Sequence, residues 1–174
     1  EGTGELPGVV YETVVFDAYG PGGVAMLIEG FTDNKNRTTA EIRNMLGKKG
    51  GSMAGAGSTA WMFTKKGFIT IDTAKASEDV VMEAVLEAGA DDIKTDGDTI
   101  EVVCDPASFE KVKGALDSKK IETVSAEVTM IPSSTVKVEG ADAKNVLGLM
   151  ENLEEHEDVT HVHANFDISD DEMA

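Results

Sequence analysis

An apolar-rich run from Thr13 to Ala18 reads as a strand, and a second from Gly23 to Glu29 reads as its partner. Between them lies Tyr19-Gly20-Pro21-Gly22-Gly23, so the two runs predict a hairpin with a long, glycine-permissive turn. The period then lengthens. Ile42, Met45 and Leu46 form one helical stripe, Thr38 stands at capping-box spacing from Glu41, and Gly47-Lys48-Lys49-Gly50-Gly51 supplies the stop. This predicts a short amphipathic helix with Arg37, Arg43 and Lys48 off its apolar stripe. Gly50 to Gly57 reads as a flexible loop, after which Thr59, Trp61 and Phe63 alternate with Ala60 and Met62 as a further strand. Lys65-Lys66-Gly67 is expected to turn the chain into Phe68 to Asp72.

From there the pattern runs strand, helix, strand, strand, helix, strand. Ser77 caps a helix that carries Glu78 and Asp79 in its first turn, where negative charge suits the helix dipole, and Val81, Ala84, Val85 and Ala88 line one face. Asp96-Gly97-Asp98 is a tight hairpin signal between Ile93 and the run Ile100 to Val103. Asp105 caps the next helix, with Pro106 at its first position and Phe109, Val112 and Leu116 at helical spacing. Val124, Ala126, Val128 and Met130 then alternate with polar residues, as in an antiparallel sheet covered on one side. Residues 67–132 therefore spell the split βαβ arrangement of a ferredoxin-like (βαββαβ) unit.

After the linker Pro132-Ser133-Ser134, extended structure resumes at Val136 and Val138. Asp142 is expected to cap a helix carrying Val146, Leu147, Met150 and Leu153, and Val162, Ala164, Phe166 and Ile168 form a closing strand. The opening segment has too little helix to cover its own sheet, and this last helix and strand can complete it. The fold class is therefore α+β: a discontinuous domain, residues 1–66 plus 133–174, with the ferredoxin-like unit, residues 67–132, inserted. Ser169 to Ala174 reads as a frayed acidic tail. Glu1 to Gly8 is a polar, Gly-rich lead-in that reads as part of a linker, with the expectation that an N-terminal piece precedes it.

With 174 residues, 41% of them hydrophobic, the chain can bury the core of one ordinary or two small domains. No apolar run approaches the roughly 20 residues of a membrane span. Its single cysteine, Cys104, excludes an internal disulfide, points to a reducing compartment and, at the end of an apolar run, reads as a buried hydrophobe rather than a nucleophile. Charge changes the picture more. The chain carries a formal net charge of -18, a field that repels polyanions at long range. Yet Asn34 to Lys66 holds Lys35, Arg37, Arg43, Lys48, Lys49, Lys65 and Lys66 against Glu41 alone, a net +6 that leaves -24 for the remainder. Such an island is the footprint of a focused anion contact; a solvated lysine-rich face is the plainer alternative.

Within it, Asn34, Lys35, Asn36 and Arg37 stand just ahead of the predicted helix, where free N–H groups and the dipole favour anions. Arg43, Lys48, Lys49, Lys65 and Lys66 can add phosphate attraction. The turn Gly20, Pro21, Gly22 and Gly23 offers backbone N–H groups with few side chains in the way, although it lacks the Lys-Ser/Thr ending of a P-loop and reads equally as a plain hairpin turn. Trp61 and Phe63 can stack on bases or serve as core. His161 and His163 share a strand face, but no carboxylate or thiol at ligand spacing accompanies them or His156, so no metal site and no cofactor are expected. Paired acids such as Asp91-Asp92 and Glu154-Glu155 lack a partnered His, Ser or Lys, so no catalytic residues are assigned.

Three motifs in order, Tyr19-Gly20-Pro21-Gly22-Gly23-Val24-Ala25, Thr32-Asp33-Asn34-Lys35-Asn36-Arg37-Thr38 and Ser58-Thr59-Ala60-Trp61-Met62-Phe63-Thr64-Lys65-Lys66-Gly67, closely resemble the YebC family. The resemblance continues through Val124-Ser125-Ala126-Glu127 and Met130-Ile131-Pro132. It implies three domains, a basic helical bundle followed by two α+β domains with the last inserted into the middle one, and a bundle that this chain lacks. It also implies a cytoplasmic, non-enzymatic regulator of gene expression. The family is described both as DNA-binding transcriptional regulators and as translation factors, so the expected partner is the ribosome or its RNA, or DNA with help from the missing domain. A protein-binding scaffold is the third alternative.

Overall fold

The first two apolar runs pair as predicted, in unbroken antiparallel register from Glu12 opposite Thr32 to Tyr19 opposite Ala25. The structure, a computed structural model, describes residues 10–169; the lead-in Glu1 to Gly8 and the tail beyond Ser169 lie outside the described residues. Along the chain the elements are β1 (Glu12–Tyr19), β2 (Ala25–Thr32), α1 (Lys35–Lys48), β3 (Ser52–Met53), β4 (Phe63–Asp72), α2 (Glu78–Val85) and β5 (Ala90–Asp96). There follow β6 (Thr99–Cys104), α3 (Phe109–Ser118), β7 (Ser125–Pro132), β8 (Val136–Lys137), α4 (Gly140–Glu155), β9 (Val159–Ala164) and β10 (Phe166–Asp167).

Two compact units result, residues 1–63 with 132–174 and residues 64–131, against sequence boundaries of 66/67 and 132/133. In the first, the sheet order is β3-β1-β2-β9, with a parallel β8–β10 pair beside it. Val14, Phe16, Ala18, Met26 and Ile28 meet Ile42 and Leu46 of α1 and Val146, Leu149 and Leu153 of α4 in one buried cluster. The early elements thus gain their cover from α4, which the chain supplies only after the insertion. In the second unit the order β5-β6-β4-β7 is that of a ferredoxin-like sheet, and Ile69, Ile71, Ile100 and Val102 pack against Val81, Val85, Val112 and Leu116. Among the described residues no helix is long and apolar enough to cross a membrane.

Four local readings are corrected. Helix α1 begins one turn early, capped by Asn34 rather than Thr38. Residues Ala60–Met62 form a 3-10 turn, so Thr59, Trp61 and Phe63 are no alternating strand: Trp61 is exposed and Phe63 buried. Lys65-Lys66-Gly67 is no turn, because β4 runs straight through it. Gly67 is required there by packing: a β-carbon on it would lie 2.7 Å from Cys104 Sγ and 2.9 Å from Phe109 Cδ1. Finally, α4 is capped at Glu139, with Asp142 inside its first turn.

The Gly20–Gly23 segment closes as a 3-10 turn whose Gly22 and Gly23 both have positive φ, 79° and 82°. They differ in their surroundings. A β-carbon on Gly22 would meet Val138 Cγ1 at 2.8 Å, whereas one on Gly23 would meet nothing within 4 Å. Gly23→Ala is therefore expected to cost about 1 kcal/mol of left-handed strain, and Gly22→Ala about 2 kcal/mol or more, since a clash is added. Urea denaturation midpoints of the two variants check the ranking.

Candidate nucleic-acid interface

Helix α1 carries most of the sequence-predicted contacts. Asn34 Oδ1 accepts the Arg37 amide at 3.0 Å, which satisfies one of the N–H groups a helix start leaves over. Lys35, Asn36 and Arg37 therefore occupy the first turn rather than the approach to it. Thr38, Ile42 and Leu46 turn inward, so Lys35, Asn36, Arg43 and Lys48 are left facing solvent. Lys49, half-buried, lies over Gly148 of α4, with Nζ 3.3 Å from where a β-carbon on that glycine would sit. Among the described residues, no ion pair engages Lys35, Arg43, Lys48 or Lys49.

Arg37 is different. Its Nη2 lies 3.1 Å from Asp158 Oδ2 and 3.4 Å from Asp33 Oδ1, so much of its charge is used within the fold. Asp158 is buried at the turn before β9 and takes the Thr38 hydroxyl at 2.8 Å. Burial pushes the Asp158 carboxyl up, but the bonds from Thr38 and Arg37 outweigh it and hold it below its ordinary value. Gly30 allows this approach, since a β-carbon there would lie 2.6 Å from the Asp158 carbonyl oxygen, and Phe31 N–H donates to that oxygen at 2.8 Å. The Asp158 amide donates to His156 Nδ1 at 3.1 Å, which fixes the histidine proton on Nε2, 2.7 Å from Glu41 Oε1. Arg37, Glu41, His156, Glu157 and Asp158 line an open cleft of about 420 Å³. The chain of contacts fastens the start of α1 to the α4–β9 turn.

The remaining predicted residues lie elsewhere. Lys65 and Lys66 belong to the second unit, where Lys66 Nζ bridges Asp105 at 3.2 Å and Asp91 at 3.3 Å; hydrogen bonds to those two carboxylates raise its pKa. In the Gly20–Gly23 turn, the Gly20 amide donates to Val24 O and the Gly23 amide to Gly20 O, so two of the N–H groups read as open are spent inside the turn. Cys104 is buried; burial, with Asp91 and Asp105 nearby, pushes its thiol pKa up and keeps it a poor nucleophile.

Sequence reasoning missed two carboxylates that organise the first unit. Besides Asp158, Asp17 is buried in β1, where Oδ2 accepts Thr59 N–H at 2.9 Å and Ala60 N–H at 2.8 Å and faces the Thr59 hydroxyl at 3.0 Å. These contacts bend the chain into the 3-10 turn that holds Trp61 out. An aspartate inside the run Val14-Val15-Phe16-Asp17-Ala18 was the available signal.

Comparison with known proteins agrees with the fold. The family model described as "TACO1/YebC second and third domain" matches residues 11–166. A protein from Natranaerobius thermophilus named "Probable transcriptional regulatory protein" is 51% identical over 99% of this chain and 70% of its own length. A second of that name, from Trichlorobacter lovleyi, is 50% identical with the same two coverages. The crystal structure of a conserved hypothetical protein from Aquifex aeolicus superposes with a TM-score of 0.79 at 35% identity, over 98% of this chain and 70% of that one.

Proposed function

We propose, for a chain that belongs to the TACO1/YebC family by its match over residues 11–166, a role as a regulator of gene expression that acts in translation by docking α1 on ribosomal RNA. One observation carries the reading: among the described residues, Lys35, Arg43 and Lys48 on the ordered helix α1, and Lys49 at its C-terminal cap, make no ion pair, in a protein whose net charge is -18. A flexible basic tail loses entropy on binding, whereas this helix is already ordered. The acidic remainder repels polyanions that approach any other face, so contact is confined to the helix and its neighbourhood. Asn34 and Asn36 add donors and acceptors beside the positive end of the helix dipole.

The test is cosedimentation with ribosomes across a salt series. Lys35→Glu, Arg43→Glu and Lys48→Glu together are expected to weaken binding at least about tenfold, with the salt slope falling by about one per lost phosphate contact. Binding unchanged by the triple reversal overturns the reading. A second reading, regulation of transcription through DNA, rests on the names of the two relatives above. A mobility shift on promoter DNA, absent from matched non-promoter DNA and unaccompanied by ribosome binding, would favour it.

A further inference from the structure

We propose that Glu29, His161 and His163 form a binding site for a divalent transition-metal ion of the zinc class, which would pin the edge strand β9 to β2. His161 and His163 lie two residues apart on β9 and so project from one face of the sheet. Their rings are parallel within 5°, with centroids 6.0 Å apart. On β2 the antiparallel register sets Glu29 opposite His161 and Leu27 opposite His163. The Glu29 carboxylate therefore serves both imidazoles, Oε2 at 3.0 Å from His163 Nε2 and Oε1 at 3.7 Å from His161 Nδ1. Two imidazoles and a carboxylate are the donor set of a zinc site that keeps a position open for water.

Charge and exposure both suit a cation here. Among the described residues, neither lysine nor arginine pairs with Glu29. The His163 side chain is 10% exposed, with its ring 6.4 Å from that of Phe63, so one ligand is held in place. The His161 side chain is 64% exposed, so a change of its rotamer displaces mostly solvent. The three ligand atoms do not all lie within 4.8 Å of one another here, so metal–ligand bonds of about 2.0–2.2 Å require the carboxylate to release its direct contact with His163 and His161 to change rotamer and move inward by more than about an ångström.

A second histidine cluster, Glu41, His156 and Asp158, has ligand atoms within 4.8 Å of one another but does not suit a cation. His156 Nδ1 is taken by the Asp158 amide, and the Arg37 guanidinium already neutralises Asp158 at 3.1 Å. A metal there would compete with a fixed charge and with a committed tautomer. At the Glu29 site no lysine or arginine pairs with the carboxylate among the described residues, so a metal has only to displace the proton that His163 Nε2 shares with Glu29.

Chelator-treated protein titrated with Zn²⁺, and separately with Co²⁺, tests the assignment by calorimetry and by NMR of the histidine ring nitrogens. The expected result is one equivalent bound, with His161 and His163 resonances shifted and His156 unmoved, and an unfolding midpoint that rises with Zn²⁺ concentration. Mg²⁺, which prefers all-oxygen shells, produces none of these. His161→Ala removes an exposed ring and leaves the fold intact, and it and the conservative Glu29→Gln are each expected to weaken Zn²⁺ binding at least about tenfold. Absence of binding, or binding that survives both variants, overturns the proposal. Neither outcome bears on ribosome binding, because no residue is shared with the α1 surface.

Discussion

Replacing Asp17 by alanine is expected to lower the stability of the first unit by about 3 kcal/mol, the cost of leaving the Thr59 and Ala60 amides without their acceptor. For a domain of this size that is a fall in unfolding midpoint on the order of 10 °C. Thr59 Oγ1 also lies 2.8 Å from the Met26 carbonyl, so its proton keeps one partner, but the two amides do not. Amide exchange at Thr59 and Ala60 should accelerate beyond the global change, because the turn presenting Trp61 is released first. Asp17→Asn keeps an oxygen acceptor and should cost less. The charge itself shows in acid. Burial pushes the Asp17 carboxyl up, but bonds from the Thr59, Gly57 and Ala60 amides and the Thr59 hydroxyl outweigh it and leave the pKa below the ordinary 3.8. A carboxylate depressed in the folded state stabilises fully above its unfolded value and loses that contribution as pH falls through the folded one. The wild-type protein should therefore lose stability below about pH 4 more steeply than Asp17→Asn, as thermal melts across that range would show.

Asp17 also marks where reading the chain as a string stops working. Periodicity found the β1–β2 hairpin, both helices of the ferredoxin-like unit and the α4–β9 return, because each is dictated by neighbours three, four or two positions away. It placed Thr59, Trp61 and Phe63 on a strand because they alternate; the partner that bends them lies 42 residues back. Thr38 met the local rule for a cap, yet Asp158, 120 residues further on, draws its hydroxyl inward and leaves capping to Asn34. Gly67 looked like a breaker and is a packing glycine, since its tight neighbours Cys104 and Phe109 arrive from β6 and α3. The candidate site divides in the same way. That Arg43 and Lys48 face outward follows from the apolar stripe. That Arg37 pairs with Asp158 depends on a partner 121 residues away, and that the Glu29 carboxylate faces both His161 and His163 depends on the β2–β9 register, so neither can be read from one segment alone.

Reversing Arg37 to Glu is expected to damage the fold before it damages any RNA contact. Asp158 is held charged by the Thr38 hydroxyl and the Arg37 guanidinium, and a glutamate at position 37 would set a second carboxylate against it at the buried turn before β9. The unfolding midpoint of Arg37→Glu should therefore fall well below that of Lys35→Glu, whose side chain makes no ion pair among the described residues and whose loss touches only the surface. Exchanging the charges in Arg37→Glu with Asp158→Arg keeps the net charge and restores an attractive pair, so the double variant should regain much of the stability, a positive coupling in the double-mutant cycle. Ribosome cosedimentation should return with it, because Lys35, Arg43 and Lys48 still face outward on a helix that is again anchored. A double variant that folds at the wild-type midpoint yet fails to cosediment would assign Arg37 a direct contact with RNA and sink its role as the fastener of α1.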